Sequence, residues 1–531
     1  MPGNARKKQQ RKNKNRSHQK AAGEHEDEND ENAGKNSVSE ATVAENDNNS
    51  NKPYSIKQSE LVGRYLVASR KLKAGEKIIE VAPLAIGPWA ESDPICLGCH
   101  RLFEKGSKIL RCVDCNWRIC SENCQDLAVH RNQECIPLKE HNVAELLKTA
   151  TPLESKFMYE AIFALRCLLL KKTDSEKFNL LLKMDSLNDL RRTRTLLWTR
   201  NQREIVERIR NQWKFDEFSE EEIHTVCGII EVNSFQIGQH DVHTRALYPE
   251  AFYLMHDCTP NTTHTDDPIS HVLTIRLTKD LMEGETITLS YAYTLQGTLK
   301  RRQHLFDCKF FWCQCKRCSD PTEFGTNCSS LKCSKCSKGL VISTNPLDQD
   351  ASWKCNHCSH EISATVIVQL LDRLFAELDG IDANSIELYE QFISKYRSTL
   401  HENHYLILSA EHSLCSLYGK IDGYLMSDLT IEQIKRKETI CRHLLALVED
   451  IEPGLSRLRG VIMYELHAPI MIEAKYRFET KQLNMSQVKR SLDEALKLLK
   501  LSARILSFEP PGSPEHEMAL AASDAVSKMQ S

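Results

Sequence analysis

The sequence predicts an α+β protein of several domains, and three observations support that prediction. Strand-like runs separated by turn residues occur in two distant parts of the chain, 54–88 and 272–291. Cysteines are concentrated in short clusters whose spacing suits metal ions. Two long stretches, 137–225 and 362–531, carry apolar residues at helical spacing. The length of 531 residues is enough for about two to four domains with ample cores.

The composition excludes some broad classes of protein. The formal net charge is −3, which argues against a general polyanion binder. There are 21 cysteines, mostly clustered, and we recognise no signal peptide, so we expect zinc in a reducing compartment instead of disulfides. No stretch approaches the roughly 18 apolar residues of a membrane helix, so we expect no membrane span.

Residues 1–52 are predicted to be a disordered tail, because they contain few large apolar side chains. The tail is basic and then acidic: 6–20 carries eight Lys or Arg, and 24–31 carries six acidic residues. The basic half could be a nuclear signal or an arm that binds nucleic acid weakly, and a simple solvated tail is the alternative.

The first β-rich part is predicted over 54–95. It contains the run Gly63 to Ala68 and the run Lys73 to Ile79, with an Ala-Gly turn between them.

Residues 96–135 contain eight metal-ligand residues within 40 positions, which is enough for two tetrahedral zinc ions. A module of this size has almost no apolar core, so bound metal would contribute much of its folding free energy. The eight residues are Cys96, Cys99, Cys112, Cys115, Cys120, Cys124, His130 and Cys135.

A helical segment is predicted over 136–225, and the chain is expected to return to the β core over 226–295. That second β part contains a His-x-Cys-x-Pro-Asn segment starting at His256, and a Gly-Glu-x-Ile run that begins at Gly284 and ends in Tyr291.

Two further metal patterns lie in 296–360. Cys313, Cys315 and Cys318 fall within six residues, and Cys258 is the expected fourth ligand of a zinc ion. A purely structural zinc with no active site beside it is the alternative interpretation. Two CxxC pairs then predict a zinc ribbon, with Cys308 and Cys328 as alternative ligands or buried thiols; the pairs are Cys333, Cys336, Cys355 and Cys358.

Residues 361–531 are predicted to be a helical domain of antiparallel, tetratricopeptide-like architecture without a strict 34-residue repeat. Its core stripes are predicted to contain Ile367, Leu370, Leu371, Leu374, Phe375 and Leu378; Ile440, Leu444, Leu447, Val448 and Ile451; and Val488, Leu492, Leu496 and Leu499.

These motifs together resemble the SET-and-MYND (SMYD) family, and the extra ribbon resembles its arthropod-type SmydA branch. The resemblance implies a split β-rich SET core, an inserted MYND zinc finger at 96–135, a post-SET zinc, and a helical tail. It also implies that the finger's ligands interleave. One metal would then be held by Cys96, Cys99, Cys120 and Cys124, and the other by Cys112, Cys115, His130 and Cys135.

By the same resemblance the chain would transfer a methyl group from S-adenosylmethionine to lysines of histone or other proteins, in transcriptional regulation. Tyr291 would be the catalytic tyrosine, and Phe311 and Tyr293 would line the lysine channel. The implied cofactor-binding residues are Gly63, Arg64, Asn233, Met255, His256, Tyr291 and Phe311.

Three positions depart from the family pattern: Met255 replaces an asparagine, and Tyr65 and Ala246 replace glycines. They leave open an alternative, a weak or inactive adaptor that binds partners through the finger and the helical tail. The finger is expected to bind short, often proline-rich peptides, including those of corepressors. Its basic residues, Arg101, Lys105, Lys108, Arg111, Arg118 and Arg131, would suit acidic partners or weak nucleic-acid binding, and we expect a location in cytoplasm and nucleus.

Overall fold

The structure is a computed structural model, and it describes residues 52–60, 62–89, 93–103, 106, 108–238 and 244–530. The predicted charged tail, up to residue 51, and Lys105 of the basic set lie outside these residues. Within the described residues, no helix combines the length and the apolar character that crossing a membrane requires.

The β-rich part is assembled from strands that lie on both sides of a long insertion. Strand β3 pairs with β11 and strand β4 with β8, both antiparallel, so the two halves form common sheets. The early runs β2 and β3 do not pair with each other; β2 pairs with β1. The strands are β1 Tyr54–Ser59, β2 Gly63–Ala68, β3 Lys77–Val81, β4 Ala85–Pro88, β5 Leu110–Arg111, β6 Arg118–Ile119, β7 Phe235–Ile237, β8 Thr244–Leu247, β9 Met255–His256, β10 Thr262–Asp266, β11 Leu273–Leu277 and β12 Thr288–Leu289.

The insertion between the two β parts is mostly helical and has a core of its own. Its helices are α1 Glu122–Asp126, α2 Ala128–His130, α3 Ile136–Glu140, α4 Val143–Thr149, α5 Pro152–Thr173, α6 Ser175–Leu181, α7 Asn188–Thr193, α8 Thr195–Asn201 and α9 Glu220–Asn233, with π-helical turns Arg131–Cys135, Gln202–Val206 and Arg208–Gln212. Helix α5 is buried along most of its length and contacts β4 and α9.

Helix α9 crosses the boundary predicted between residues 225 and 226. A capping box between Ser219 and Glu222 begins the helix, and Ile223, Val226 and Ile229 bury one face of it. The helix therefore continues to Asn233, and the second β part begins only at β7.

The remainder of the chain consists of a small antiparallel sheet and a region of long helices. The sheet has the strand order β13 Leu331–Lys332, β14 Leu340–Ser343, β15 Trp353–Cys355 and β16 Glu361–Ile362. Two helices precede it and seven follow it: α10 Thr298–Lys309, α11 Lys316–Ser319, α12 Ala364–Asp379, α13 Ile386–Tyr396, α14 Tyr405–Leu417, α15 Ile431–Ile451, α16 Arg457–Glu479, α17 Met485–Leu506 and α18 Pro514–Gln530. The mixed α+β prediction with a helical C-terminal region is thus confirmed.

The predicted core residues of these helices are not all buried. All five residues of the α15 stripe are buried, whereas Phe375 of the α12 stripe and Leu492 of the α17 stripe are exposed. In α17 the buried residues differ from the predicted stripe and lie nearer the C-terminal end of the helix. They are Ala495, Leu499, Ser502, Ile505 and Leu506. Helical periodicity located the amphipathic helix but did not decide which edge of its apolar face meets its neighbours.

The β-rich part and the long helices meet at Gly454. Its φ is +87°, and a Cβ atom there would lie 2.0 Å from the carbonyl oxygen of Thr278. Only glycine permits both the backbone conformation and this close approach. The neighbouring Leu455 N–H donates to the same carbonyl at 2.7 Å, which fixes the helical region against the β core.

Candidate functional site

The sixteen predicted metal ligands come together in the four sets expected from the sequence, and within each set the ligand atoms lie within 4.8 Å of one another. Sulfur atoms about 2.3 Å from a zinc ion in a tetrahedron are about 3.8 Å apart. The closest Sγ–Sγ distances, from 3.4 Å for Cys120–Cys124 to 3.9 Å for Cys258–Cys313, are near this value. They are far longer than a disulfide bond, so each set is compatible with a zinc ion.

The second set of the finger is supported by a buried charged chain. The imidazole of His130 contacts Cys115 through Nε2 and hydrogen-bonds Glu134 through Nδ1 at 2.7 Å. Arg166 of α5 forms two bonds of 2.7 and 2.8 Å to Glu134, and its guanidinium lowers the pKa of that carboxyl against the opposing effect of burial. A carboxylate behind a ligating histidine fixes the ring orientation and raises ligand basicity.

Arg166 also joins the finger to the β core. It donates to the carbonyls of Ile86 in β4 and Leu97 in the finger, each at 2.8 Å. The sequence showed Arg166 only as an interruption of an apolar run. An arginine inside an apolar helical run needs several hydrogen-bond acceptors if it is buried. The position of Arg166 in such a run was therefore the signal that could have identified its role.

A second buried charged group lies beside the set of Cys258, Cys313, Cys315 and Cys318. The guanidiniums of Arg301 and Arg317 contact the carboxylate of Glu323 at 2.8 and 2.9 Å, and all three side chains are at most 1 % exposed. Burial opposes ionisation of Glu323, but the two arginines outweigh it and lower its pKa to about 2. Arg301 also donates to the Sγ of Cys318, so this group supports the metal set directly.

The fourth set lies in the small antiparallel sheet. Cys333 follows β13, Cys336 lies in the turn before β14, and Cys355 ends β15. Neither alternative ligand joins a set: Cys328 is buried and accepts a hydrogen bond from Thr326, while Cys308 is exposed and faces His304. The expectation of a buried thiol therefore holds for Cys328 and is wrong for Cys308.

Three of the predicted site residues form one ring cluster next to the third metal set. The ring centroid of His256 lies 5.3 Å from that of Tyr291 and 5.9 Å from that of Phe311. The Tyr291 N–H donates to Nδ1 of His256 at 2.9 Å, so the ring proton is on Nε2, which is 3.2 Å from the Sγ of Cys258. The hydroxyl of Tyr291 donates to the carbonyl of Leu254, and burial raises the pKa of this tyrosine.

The comparison with known protein families matches this β-rich part. The SET domain family model covers residues 63–292, from the first residue of β2 to the residue after Tyr291. The chain is a SET-domain protein. The match spans the metal finger and the helical insertion, which are therefore inserted between the two halves of the SET domain.

Known relatives extend the similarity beyond the SET domain. The chain is 26 % identical over 434 residues to SET domain-containing protein SmydA-8, isoform B, of Drosophila melanogaster, covering 77 % of this chain and 90 % of the relative. It is 27 % identical over 278 residues to human Histone-lysine N-methyltransferase SMYD3, covering 48 % and 59 %. It is 26 % identical over 281 residues to Histone-lysine N-methyltransferase ASHR2 of Arabidopsis thaliana, covering 48 % and 69 %. The predicted resemblance to SET-and-MYND proteins is confirmed.

SET domains use S-adenosylmethionine, and two predicted cofactor-binding residues converge on one segment of the insertion. Arg64 donates to the carbonyl of Lys183, and Nδ2 of Asn233 donates to the carbonyl of Asp185 at 2.9 Å. The hydroxyl of Ser234, next to Asn233, is buried and has no hydrogen-bond partner among the described residues. The amide of Asn233 and the hydroxyl of Ser234 are polar groups that suit a polar ligand, and the aromatic faces of the ring cluster suit a positively charged group.

The three departures from the family pattern differ in their consequences. Ala246 is a buried residue of the middle strand β8, paired with Ile86 and Phe235, where no glycine conformation is required. Tyr65 lies within β2, opposite Lys57. Met255 puts an apolar side chain where the family pattern has an amide, at a position predicted to bind the cofactor, and its backbone is fixed by parallel pairing with Thr288. Gly63 adopts φ +70° at the start of β2, a conformation that favours glycine.

Tyr293 lies outside the ring cluster, in a cleft of about 510 Å³ between the SET domain and the long helices. Tyr293 is 48 % exposed, and the partial burial of its ring, followed by the charge of Glu452, raises its pKa to about 12. The cleft is lined by residues that include Tyr293, His412, Glu452, Arg457, Glu515 and Met518. The structure thus separates the two predicted channel residues, with Phe311 beside His256 in the ring cluster and Tyr293 in the open cleft.

Sequence analysis missed Lys309, which reaches the ring cluster from the end of α10. Its Nζ lies 5.6 Å from the ring centroid of Tyr291 and donates to the carbonyl of Val232 at 2.6 Å. Its proximity to Tyr291 depends on how α9 and α10 meet, so no local pattern could have indicated it.

Proposed function

We propose that this chain is an S-adenosylmethionine-dependent protein-lysine N-methyltransferase acting on histone or non-histone proteins in transcriptional regulation. The observation that carries the proposal is the ring cluster of Tyr291, His256 and Phe311, next to a complete cysteine set. SET domains are a family of protein-lysine methyltransferases, and SMYD3 and ASHR2 bear that activity in their names.

In this proposal Gly63, Arg64, Asn233 and the backbone of Met255 and His256 hold the cofactor. When bound, S-adenosylmethionine supplies a sulfonium-activated methyl group. Tyr291 keeps a fixed orientation because its hydroxyl is bonded to Leu254 and its N–H to His256.

The aromatic walls have a second role in the proposed reaction, because an acceptor lysine must be neutral to react. The ordinary pKa of lysine is about 10.4, and a water-poor site lined by Tyr291 and Phe311 disfavours the ammonium form. A zinc ion on the third set would hold the segment that contains Phe311 against Cys258. The cleft at Tyr293 would then admit the substrate chain.

The proposal is tested by incubating the purified protein with methyl-labelled S-adenosylmethionine and mixed histone and lysate proteins. We expect labelled lysines, and no incorporation at high protein concentration together with no cofactor binding by calorimetry would refute the proposal. Tyr291→Phe removes one hydroxyl and keeps the ring, so it should abolish turnover without loss of zinc. Cys315→Ser should abolish turnover and also lose one zinc and thermal stability.

A second candidate function, a weak or inactive adaptor, is favoured by Met255 and by the existing bonds of Arg64 and Asn233 to the insertion. The test is cofactor affinity, measured by calorimetry, for wild type and Met255→Asn. If an amide is what the site lacks, the variant gains about 1–3 kcal/mol, which is roughly 5- to 150-fold in affinity. Low-micromolar binding by wild type with little gain in the variant would refute the adaptor.

The remaining partner proposals concern the metal finger. We propose that it binds short peptides, including those of corepressors, and that the protein works in cytoplasm and nucleus. Weak nucleic-acid binding rests on Arg111, Arg118 and Arg131, of which Arg131 already pairs with Asp126 at 2.8 Å. Binding to duplex DNA should fall steeply as salt rises, and a flat salt dependence would remove this proposal. Cell fractionation tests the location.

A further inference from the structure

Lys309 reaches the SET-domain ring cluster at the left-handed turn that ends α10. It is the last residue of α10, and Phe310, which follows, adopts φ 63° in the left-handed region. A left-handed residue after the last turn is a common way for a helix to end. Lys309 lies over the ring of Tyr291, and Phe311, two residues later, lies beside the ring of His256, which also contacts Tyr291.

The amine of Lys309 is held without an ordinary counterion. Among the described residues, no carboxylate lies within ion-pair distance of its Nζ, and its partners are the Val232 carbonyl and the Tyr291 ring. Burial, and then the like charge of Arg245, lower the pKa of Lys309 to about 8. The environment therefore disfavours the ammonium form, as the acceptor position of a lysine methyltransferase must.

A simpler role exists for the same contact. Val232 lies in the last turn of α9, where carbonyls have no partner within the helix. A lysine amine at that position is an effective cap. Capping accounts for the bond to Val232 but not for the position of the amine over Tyr291, the residue with the proposed catalytic role.

We propose that the amine of Lys309 occupies the acceptor-lysine position beside Tyr291, so that an incoming lysine must displace it. The inference rests on the proposed function and adds to it a regulation of the same site. A substrate lysine would have to take over the contacts of Lys309 with Tyr291 and Val232.

The test uses n-butylamine, which has the length of a lysine side chain from Cβ to Nζ, on the full chain without cofactor. Lys309→Ala should open the position, and we expect its dissociation constant for n-butylamine to be at least about tenfold lower than that of wild type. The probe should also raise the melting temperature of the variant. Lys309→Met keeps the length of the side chain and should not bind the probe.

Lys300 provides a matched control on the same helix. Its Nζ lies 5.5 Å from the ring centroid of Phe375, a geometry like that of Lys309, but it pairs with Asp372 away from the site. Lys300→Ala should bind n-butylamine no better than wild type. If Lys309→Ala does not fold, Lys309→Ser opens the same space with a polar side chain and replaces it in the test.

The result that overturns the inference is a folded Lys309→Ala or Lys309→Ser protein that binds n-butylamine no better than wild type and Lys300→Ala. Lys309 would then be a helix cap only. The methyl-labelling assay gives a separate result. Amine binding without any methyl incorporation, in any variant, supports the acceptor position and overturns only the proposed function. Methyl incorporation without amine binding supports the proposed function and overturns the acceptor position of Lys309.

Discussion

Glu323 joins two arginines beside the third cysteine set, and the substitution Glu323→Gln measures how much this buried group contributes to stability. Glutamine has nearly the same shape, so the change removes the charge without opening a cavity. It leaves the guanidiniums of Arg301 and Arg317, both 0 % exposed, without their carboxylate. Removing one partner of a buried ion pair costs about 3–5 kcal/mol, because the remaining charge stays buried and uncompensated.

A surface pair provides the control. Arg442 and Glu494 are 2.6 Å apart, but each side chain is 44 % exposed. Such pairs contribute at most about 1 kcal/mol. Glu494→Gln should therefore change stability little, although it removes the same chemical group.

The assay is differential scanning calorimetry of both variants, with zinc content measured on the same samples. For a unit of 150–250 residues, each kcal/mol shifts the melting temperature by roughly 2–4 °C. The expected loss for Glu323→Gln is then roughly 6–20 °C in the transition that contains the SET domain. If Glu323→Gln and Glu494→Gln melt within about 2 °C of each other with all metal retained, the assignment of this group as a charged support is refuted.

Further predictions concern the metals, the packing of α9 and the amine of Lys309. Elemental analysis should find about four zinc ions per chain; Cys333→Ser should lower the count by one and Cys328→Ser should not change it. Gly228→Ala should destabilise by about 1–3 kcal/mol in urea unfolding, because a Cβ there would lie 2.2 Å from a backbone carbonyl oxygen, whereas at Gly380 the nearest atom is 3.3 Å away and alanine should be tolerated. Acylation of Lys309 should reach half its maximal rate near pH 8, below the ordinary lysine value of about 10.4. Between about pH 8 and 10.4 the unfolded chain binds more protons at Lys309 than the folded chain does. The stability of wild type relative to Lys309→Met should therefore increase over this pH range; a constant difference would contradict the lowered pKa.

The metal sets and the β-rich part were predictable because their signals are local or strongly patterned. A CxxC pair places two sulfurs on one turn, and tetrahedral coordination leaves few ways to combine such pairs. The sixteen ligands were therefore assigned from spacing and resemblance alone, including Cys258, which is distant in sequence from Cys313. The resemblance likewise pointed to Tyr291, His256 and Phe311, which the structure brings together.

What the sequence determined by itself was which residues can bind metal, which segments form helices and strands, and which family motifs the chain carries. The tertiary structure decided which charged side chains are buried, as with Arg166 and Glu323, because burial depends on contacts between distant elements. It also decided that Lys309 lies over Tyr291, since this requires α9, the left-handed turn at Phe310 and the end of the SET domain to meet at one point. Periodicity and spacing describe one segment at a time, and they contain no information about such a junction.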